Sequence, residues 1–228
     1  SKSRDPYDEG AAKELWRSPS LRLYFAAEHV RELGRVLGIP TISAPSEAEM
    51  FSAVMCRDGL VNTVVSNDSD ALLFGSPHVT KQLQLSKGII HRATLKELEA
   101  TAGLDLERLR DLAMVCGCDF HKKGVKGIGP RKGTLLLQRH GSLEALLKAI
   151  GYGRIDRKEF MEGREVFDEA SHISTDGIVH NLNPPLFPKL MRMLSMIMAE
   201  ERAEEIGHEF VKLWKRFGSH QETLEQWL

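Results

Sequence analysis

Five carboxylates in three short runs are the residues best suited to chemistry. Glu47 and Glu49 lie in Ala44-Pro45-Ser46-Glu47-Ala48-Glu49, Asp68 and Asp70 lie in Ser66-Asn67-Asp68-Ser69-Asp70, and Asp119 follows Gly117-Cys118. Carboxylates gathered on one edge repel one another unless cations neutralise them, and hard oxygen ligands suit Mg²⁺ or Mn²⁺. Two such ions about 4 Å apart can activate a water and steady the leaving oxygen in phosphodiester hydrolysis. The competing account is bland: Asp-x-Asp arises by chance, and Glu49 can be a helix cap. Residues i and i+2 on a helix lie roughly 200° apart, so Glu47 and Glu49 can share a site only where the chain is just entering the helix. Spacing alone leaves the two accounts level.

A second cluster carries the opposite charge. His121-Lys122-Lys123-Gly124-Val125-Lys126-Gly127-Ile128-Gly129-Pro130-Arg131-Lys132 sets five lysines and arginines among closely spaced glycines. Glycine lets backbone N–H groups approach a phosphate, and Pro130 reads as the start of a helix whose N-terminus favours an anion. Gly-x-Gly alone is more often a solvated turn. The density of positive charge and a helix on each side favour phosphate binding, which displaces counterions from DNA. The candidate DNA contacts are Lys122, Lys123, Lys126, Gly127, Gly129, Arg131 and Lys132.

These two clusters must be held by the elements around them. Leu23, Ala26, Val30, Leu33 and Leu37 recur at steps of three and four, which predicts a helix over 20–37 that Gly38 and Pro40 stop. Thr41-Ile42-Ser43 reads as a short strand. Ser46 with Glu49 three residues on reads as a capping box opening a helix to about Arg57. Leu60 to Ser66 reads as a buried strand, Ala71 to Phe74 as a short helix, and Val79–Leu85 with Gly88–His91 as paired strands. Thr94, Asp105, Pro130 and Ser142 open four further helices. Residues 151–185 read as less regular, and about 187–217 as one long helical region rich in Met and Leu. The alternation before residue 93 predicts an α/β layer with parallel strands, at whose carboxyl edge Asp68 and Asp70 would sit. The expected segments are 1–19, a loose or arch-derived stretch; 20–93, the α/β region with the carboxylates; 94–150, helical; 151–217, helical; and 218–228, a tail.

Bulk properties bound the rest. The 228 residues carry a formal net charge of −1, so any DNA-binding face must be local. Cys56, Cys116 and Cys118 show no disulfide framework and point to a reducing compartment. Cys116 and Cys118 lack the further ligands of a tetrahedral zinc site. No run approaches the roughly 20 apolar residues of a membrane span, and no signal peptide is read at the start. The chain opens without an initiator Met, as a fragment would. No membrane association and a monomeric state are expected.

Gly38-Ile39-Pro40 through Glu49, then Asn67-Asp68-Ser69-Asp70-Ala71-Leu72-Leu73-Phe74-Gly75-Ser76-Pro77, closely resembles the internal region of flap endonucleases and XPG-type structure-specific 5′ nucleases. Gly117-Cys118-Asp119-Phe120 and Gly124-Val125-Lys126-Gly127-Ile128-Gly129-Pro130 resemble the segment that follows there, in the same order. The resemblance covers about residues 30–148. It implies a PIN-like (5′-3′ exonuclease-like) α/β fold followed by a helix-two-turn-helix that holds duplex DNA. It further implies that Glu47, Glu49, Asp68, Asp70 and Asp119 match the family's metal-site acids, with two Mg²⁺ ions, Mn²⁺ substituting, and cleavage of 5′ flaps near single-strand/duplex junctions. Nothing upstream of residue 20 resembles the family's N-terminal region, which supplies two further aspartates, so the isolated chain is expected to bind DNA but to cleave poorly. A Holliday-junction or gap nuclease of the same superfamily is one alternative, and a non-catalytic DNA- and clamp-binding fragment is another. The terminal Gln221-Glu222-Thr223-Leu224-Glu225-Gln226-Trp227-Leu228 resembles the box that docks on a sliding clamp, the proliferating cell nuclear antigen. There Leu224 and Trp227 share one side of a helical turn, Gln221 reaches the rim, and Leu228 replaces the usual last aromatic. The ending is like that of archaeal relatives; the implied location is the cytoplasmic nucleoid in an archaeon or the nucleus in a eukaryote.

Overall fold

The computed structural model describes residues 17–218. The described residues form two compact units, one made of residues 17–42 with 179–218 and the other of residues 43–178. The larger unit draws on the 20–93, 94–150 and 151–217 segments together. Helix α1 of the smaller unit spans Pro19–Leu37, with proline in its first turn and Gly38, in the left-handed conformation, closing it. The chain then runs without regular structure to Glu47. Thr41-Ile42-Ser43, expected as a strand, has no ladder partner and is not one.

In the larger unit, α2 (Ala48–Arg57) buries Met50, Phe51, Ala53, Val54 and Cys56. The expected strand 60–66 shrinks to β1, Val64–Val65. The reason lies at the end of α2: the N–H groups of Leu60 and Val61 both turn back to the Met55 carbonyl, at 2.9 and 3.4 Å, so those residues wrap the helix end. A four-residue helix α3 (Asp70–Leu73) follows, then β2 (His78–Gln84) and β3 (Ile89–Thr94). The sheet has the order β1-β2-β3; β1 runs parallel to β2, with Val64 opposite Val79, while β2 and β3 form an antiparallel hairpin. It is therefore mixed, and its one parallel pair delivers the chain to Asp68 and Asp70 at the carboxyl end of β1.

Helices α4 (Leu95–Ala102), α5 (Leu106–Cys116), α6 (Pro130–His140) and α7 (Leu143–Ala149) begin where their caps predict. Thr94 and Glu97 form a reciprocal capping box, and the side chains of Asp105 and Ser142 accept from Arg108 and Ala145 N–H. Residues 151–185 hold a regular helix that the sequence reading missed, α8 (Arg154–Glu169). Its buried stripe is Phe160, Arg164 and Phe167, at steps of four and three. An arginine in that stripe hides the apolar period, and Gly153 caps the helix without a side chain. In the smaller unit, the expected single helix 187–217 is two, α9 (Phe187–Ile197) and α10 (Glu200–Gly218). Met198 is fully extended between them, and Glu200 and Glu201 open α10 with negative charge at its positive end. No described helix is long and apolar enough to cross a membrane.

The core of the larger unit is continuous from α2 and the sheet through α5–α8. Phe74, Phe120 and Phe167 meet at its centre, with ring centroids 5.1–6.0 Å apart. Phe74 follows α3, and Phe120 follows Asp119. The trio thus pins both acid-bearing segments against α8.

Candidate functional site

Glu47 is the N-cap of α2, with extended backbone, and Glu49 sits in the first turn. The chain is entering its helix there, which is the condition the i, i+2 spacing imposes. Ser46 does not cap it; its hydroxyl faces the Met50 sulfur at 3.8 Å instead. Asp68 and Asp70 occupy a tight turn in which the Asp68 carboxylate accepts the N–H groups of Ser69 and Asp70, at 2.6 and 3.3 Å. Asp119 comes from the turn after α5, where Cys118 and His121 exchange backbone hydrogen bonds of 3.2 and 3.0 Å.

These segments converge. Asp68, Asp70 and Asp119 each place a carboxylate oxygen within 4.8 Å of the others. Glu47 and Glu49 lie within electrostatic reach. Burial, then Glu49, Asp119 and Asp68, push the Glu47 carboxyl above its usual range. Burial, then Asp68, Glu49, Asp119 and Glu47, push Asp70 up to about 6. Glu49 Oε1 is buried with no hydrogen-bond partner. Crowded carboxylates, one of them with an orphaned oxygen, form a donor set that fits a hard divalent cation.

Two neighbours escaped the sequence reading. Lys81 Nζ donates to Ser69 Oγ at 2.7 Å, bracing the turn between the two aspartates. Its strand is irregular between Thr80 and Gln82, and such a bulge re-aims a side chain without leaving a mark in the sequence. Cys118 is the other. Burial, then nearby carboxylates including Asp70 and Asp119, hold its thiol above the ordinary range, so it is a poor nucleophile. All three cysteines are free.

The basic hairpin lies between α5 and the start of α6, beginning two residues after Asp119. Lys122, Lys123, Lys126, Arg131 and Lys132 are all exposed, as are Gly127 and Gly129. His121 stacks on Phe160 with ring centroids 3.8 Å apart, and its Nδ1 accepts the Gly124 N–H at 3.2 Å. The glycines divide by role. Gly124 has φ +52°, and a Cβ there would meet Gly117 N, Cys116 C and Val115 O at 2.6–2.7 Å, all of them backbone atoms. Gly129 has an ordinary φ of −100°, and a Cβ there would meet nothing within 4 Å, although the residue caps α6. Gly124→Ala should therefore cost about 3 kcal/mol or more in urea unfolding, and Gly129→Ala no more than about 1 kcal/mol. Equal losses would show that both glycines serve the fold.

The family model for the XPG I-region matches residues 38–119, which contain all five carboxylates. A flap endonuclease 1 of Methanothrix thermoacetophila is 31% identical over 206 residues, covering 84% of this chain and 59% of that protein. The solved flap endonuclease-1 of Methanococcus jannaschii superposes with a TM-score of 0.71 at 27% identity, over 93% of this chain and 66% of that one. Residues 38–119 match the XPG I-region, and the chain is similar to flap endonucleases in sequence and in fold. A second relative, flap endonuclease 1 of Ostreococcus tauri, is 36% identical over 155 residues, or 65% of this chain and 40% of that protein. The chain thus spans 40 to 59% of these curated relatives. The family's PIN-like fold is the one described above, and its I-region is where the acids converge. Gln221, Leu224, Trp227 and Leu228 lie outside the described residues.

Proposed function

We propose that this chain contributes the carboxylate site and the duplex-holding hairpin of a metal-dependent, structure-specific 5′ nuclease that cuts 5′ flaps near single-strand/duplex junctions in replication and repair. One observation carries the reading: three aspartates from two separate segments meet within 4.8 Å, beside a buried Glu49 oxygen that has no partner. Glu47, Glu49, Asp68, Asp70 and Asp119 would hold the cation, Mg²⁺ in two copies in our reading, with Mn²⁺ as a substitute. The chemistry that bound ions supply is Lewis acidity toward an attacking water and the leaving oxygen. No covalent nucleophile is needed.

The chain's own part is to place the phosphodiester. Helix α6 starts without a side-chain cap, Arg131 and Lys132 in its first turn are exposed, and the surface at Gly127 and Gly129 is open to a close backbone approach. Asp119 and this hairpin belong to one connection between α5 and α6, so duplex gripped there lies near the acids. Removing Lys126, Arg131 and Lys132 together should reduce the salt dependence of duplex binding by about three units of slope, without sequence preference. An unchanged slope in fluorescence anisotropy titrations would remove the hairpin from the DNA-binding surface.

The terminal box at Gln221, Leu224, Trp227 and Leu228 supports a further part of the proposal, recruitment of a monomeric enzyme by a sliding clamp. The site of action would be the cytoplasmic nucleoid in an archaeon and the nucleus in a eukaryote. The test is cleavage of a labelled 5′-flap duplex and of a four-way junction with Mn²⁺, by the chain alone and supplemented with the part of an archaeal relative that it does not span. Cutting near the flap base that disappears in Asp68→Ala/Asp70→Ala supports the proposal. Preference for the four-way junction would favour a resolvase, and binding without cutting in either format a scaffold.

A further inference from the structure

Arg110 lies on α5, buried at 8% exposure, and the proposed chemistry makes no use of it. Its Nε donates to the Leu73 carbonyl at 2.7 Å, and its Nη1 donates to Glu107 at 2.7 Å and Asp168 at 3.3 Å. Leu73 is the last residue of α3, whose first residue is Asp70. So short a helix cannot satisfy its own carbonyls. Those of Asp70, Ala71 and Leu72 accept from Phe74, Ser76 and Gly75 N–H, at 2.9, 3.0 and 3.0 Å. The fourth, Leu73, is met by Arg110 across 37 residues of sequence. We propose that Arg110 is a positioning residue for the carboxylate cluster, fixing the segment that carries Asp70 against the helix that delivers Asp119.

The proposal rests on the cation-binding reading above. Its physical basis is that Asp70 and Asp119 repel each other, while α3 has one turn with which to resist. A hydrogen bond from a charged donor is stronger than a neutral one, and this guanidinium is itself aimed by two carboxylates. Arg164 donates to the same two acids, its bond to Asp168 at 3.0 Å, and to Asp111, whereas the bond to Leu73 belongs to Arg110. Lysine would keep the charge for Glu107 and Asp168 but would lose the fixed Nε–H directed at Leu73.

The test compares Mn²⁺ affinity, read from free-ion EPR, with thermal stability, using the whole chain. Arg110→Lys should weaken Mn²⁺ binding about tenfold, within the range seen when groups that orient metal ligands are removed. Arg110→Met, which drops the ion pairs as well, should weaken it at least as much. Asp168→Asn disturbs the same ionic network but leaves the bond to Leu73, so it should lower Tm without changing Mn²⁺ affinity. Wild-type affinity in Arg110→Lys overturns the proposal, and so does an equal weakening in Asp168→Asn, which would make the effect one of general stability. If the unaltered chain takes up no Mn²⁺, the cation-binding reading itself fails and the inference falls with it.

Discussion

Asp68→Asn/Asp70→Asn will unfold at a higher temperature than the parent chain without metal, and will take up Mn²⁺ at least a hundredfold more weakly. Both effects have one source. Asp70 is held up at about 6 by burial and by Asp68, Glu49, Asp119 and Glu47, so its charged form is disfavoured in the folded state. Stability contributed by the protonated form is fully present below the ordinary aspartate value of 3.8 and is lost as pH rises through about 6. At pH 7 the metal-free protein therefore carries a penalty that the asparagines remove. Asp70 is only half-buried, so solvent screening reduces that gain to about 1–2 kcal/mol, or a few degrees in Tm. For the same reason the metal-free parent should gain stability relative to the double variant between pH 7 and pH 5, while its Mn²⁺ affinity falls. Saturating Mn²⁺ should reverse the order at pH 7, because only the parent is stabilised by binding. A double variant that melts below the parent in EDTA would mean that the carboxylates serve the fold and not a cation.

Arg164→Met will destabilise the larger unit by about 3–5 kcal/mol, the usual consequence of stranding one partner of a buried ion pair. The Arg164 side chain is 8% exposed. Its Nε donates to Asp111 at 3.0 Å, and its Nη groups to Asp168 at 3.0 Å and to Glu107. Asp111, itself buried, also accepts the first N–H of α7, Leu143, at 3.0 Å. Burial pushes the Asp111 carboxyl up even against the pull of that N–H and of Arg164. Methionine fills the space of the arginine stem but leaves Asp111 to be protonated or to sit charged in the core. Asp111→Asn added to Arg164→Met should return about 1–2 kcal/mol, since asparagine still accepts from Leu143 without bringing a charge. A loss below about 1 kcal/mol in urea unfolding of Arg164→Met would place the network's strength at its half-exposed ends, Glu107 and Asp168. Mn²⁺ uptake by the fraction that remains folded should be unchanged, which separates this network's role in stability from the single bond at Leu73.

What the sequence determined by itself was mostly local. The caps at Thr94, Asp105 and Ser142 and the proline at the start of α6 set helix starts within a few bonds of the residues concerned, so a one-dimensional reading finds them. The basic glycine-rich hairpin stood out as a short run of unusual composition, whereas the five acids were nominated by their resemblance to flap endonucleases, since spacing alone left them level with chance. Contacts between distant segments were not legible. Leu60 and Val61 are as apolar as a strand requires, yet their N–H groups return to Met55. The stripe of α8 contains Arg164, so an apolar period could not reveal a helix whose buried face is partly ionic. Lys81 reaches Ser69 by way of a strand irregularity. Only the tertiary structure brought Asp119 to Asp68 and Asp70, because their separation depends on how α3 packs against α5, through the Phe74, Phe120 and Phe167 rings and the Arg110 bond to Leu73. Residue types and spacing can nominate ligands for a cation; bringing about 50 residues of intervening chain back to one point takes the packing of a core.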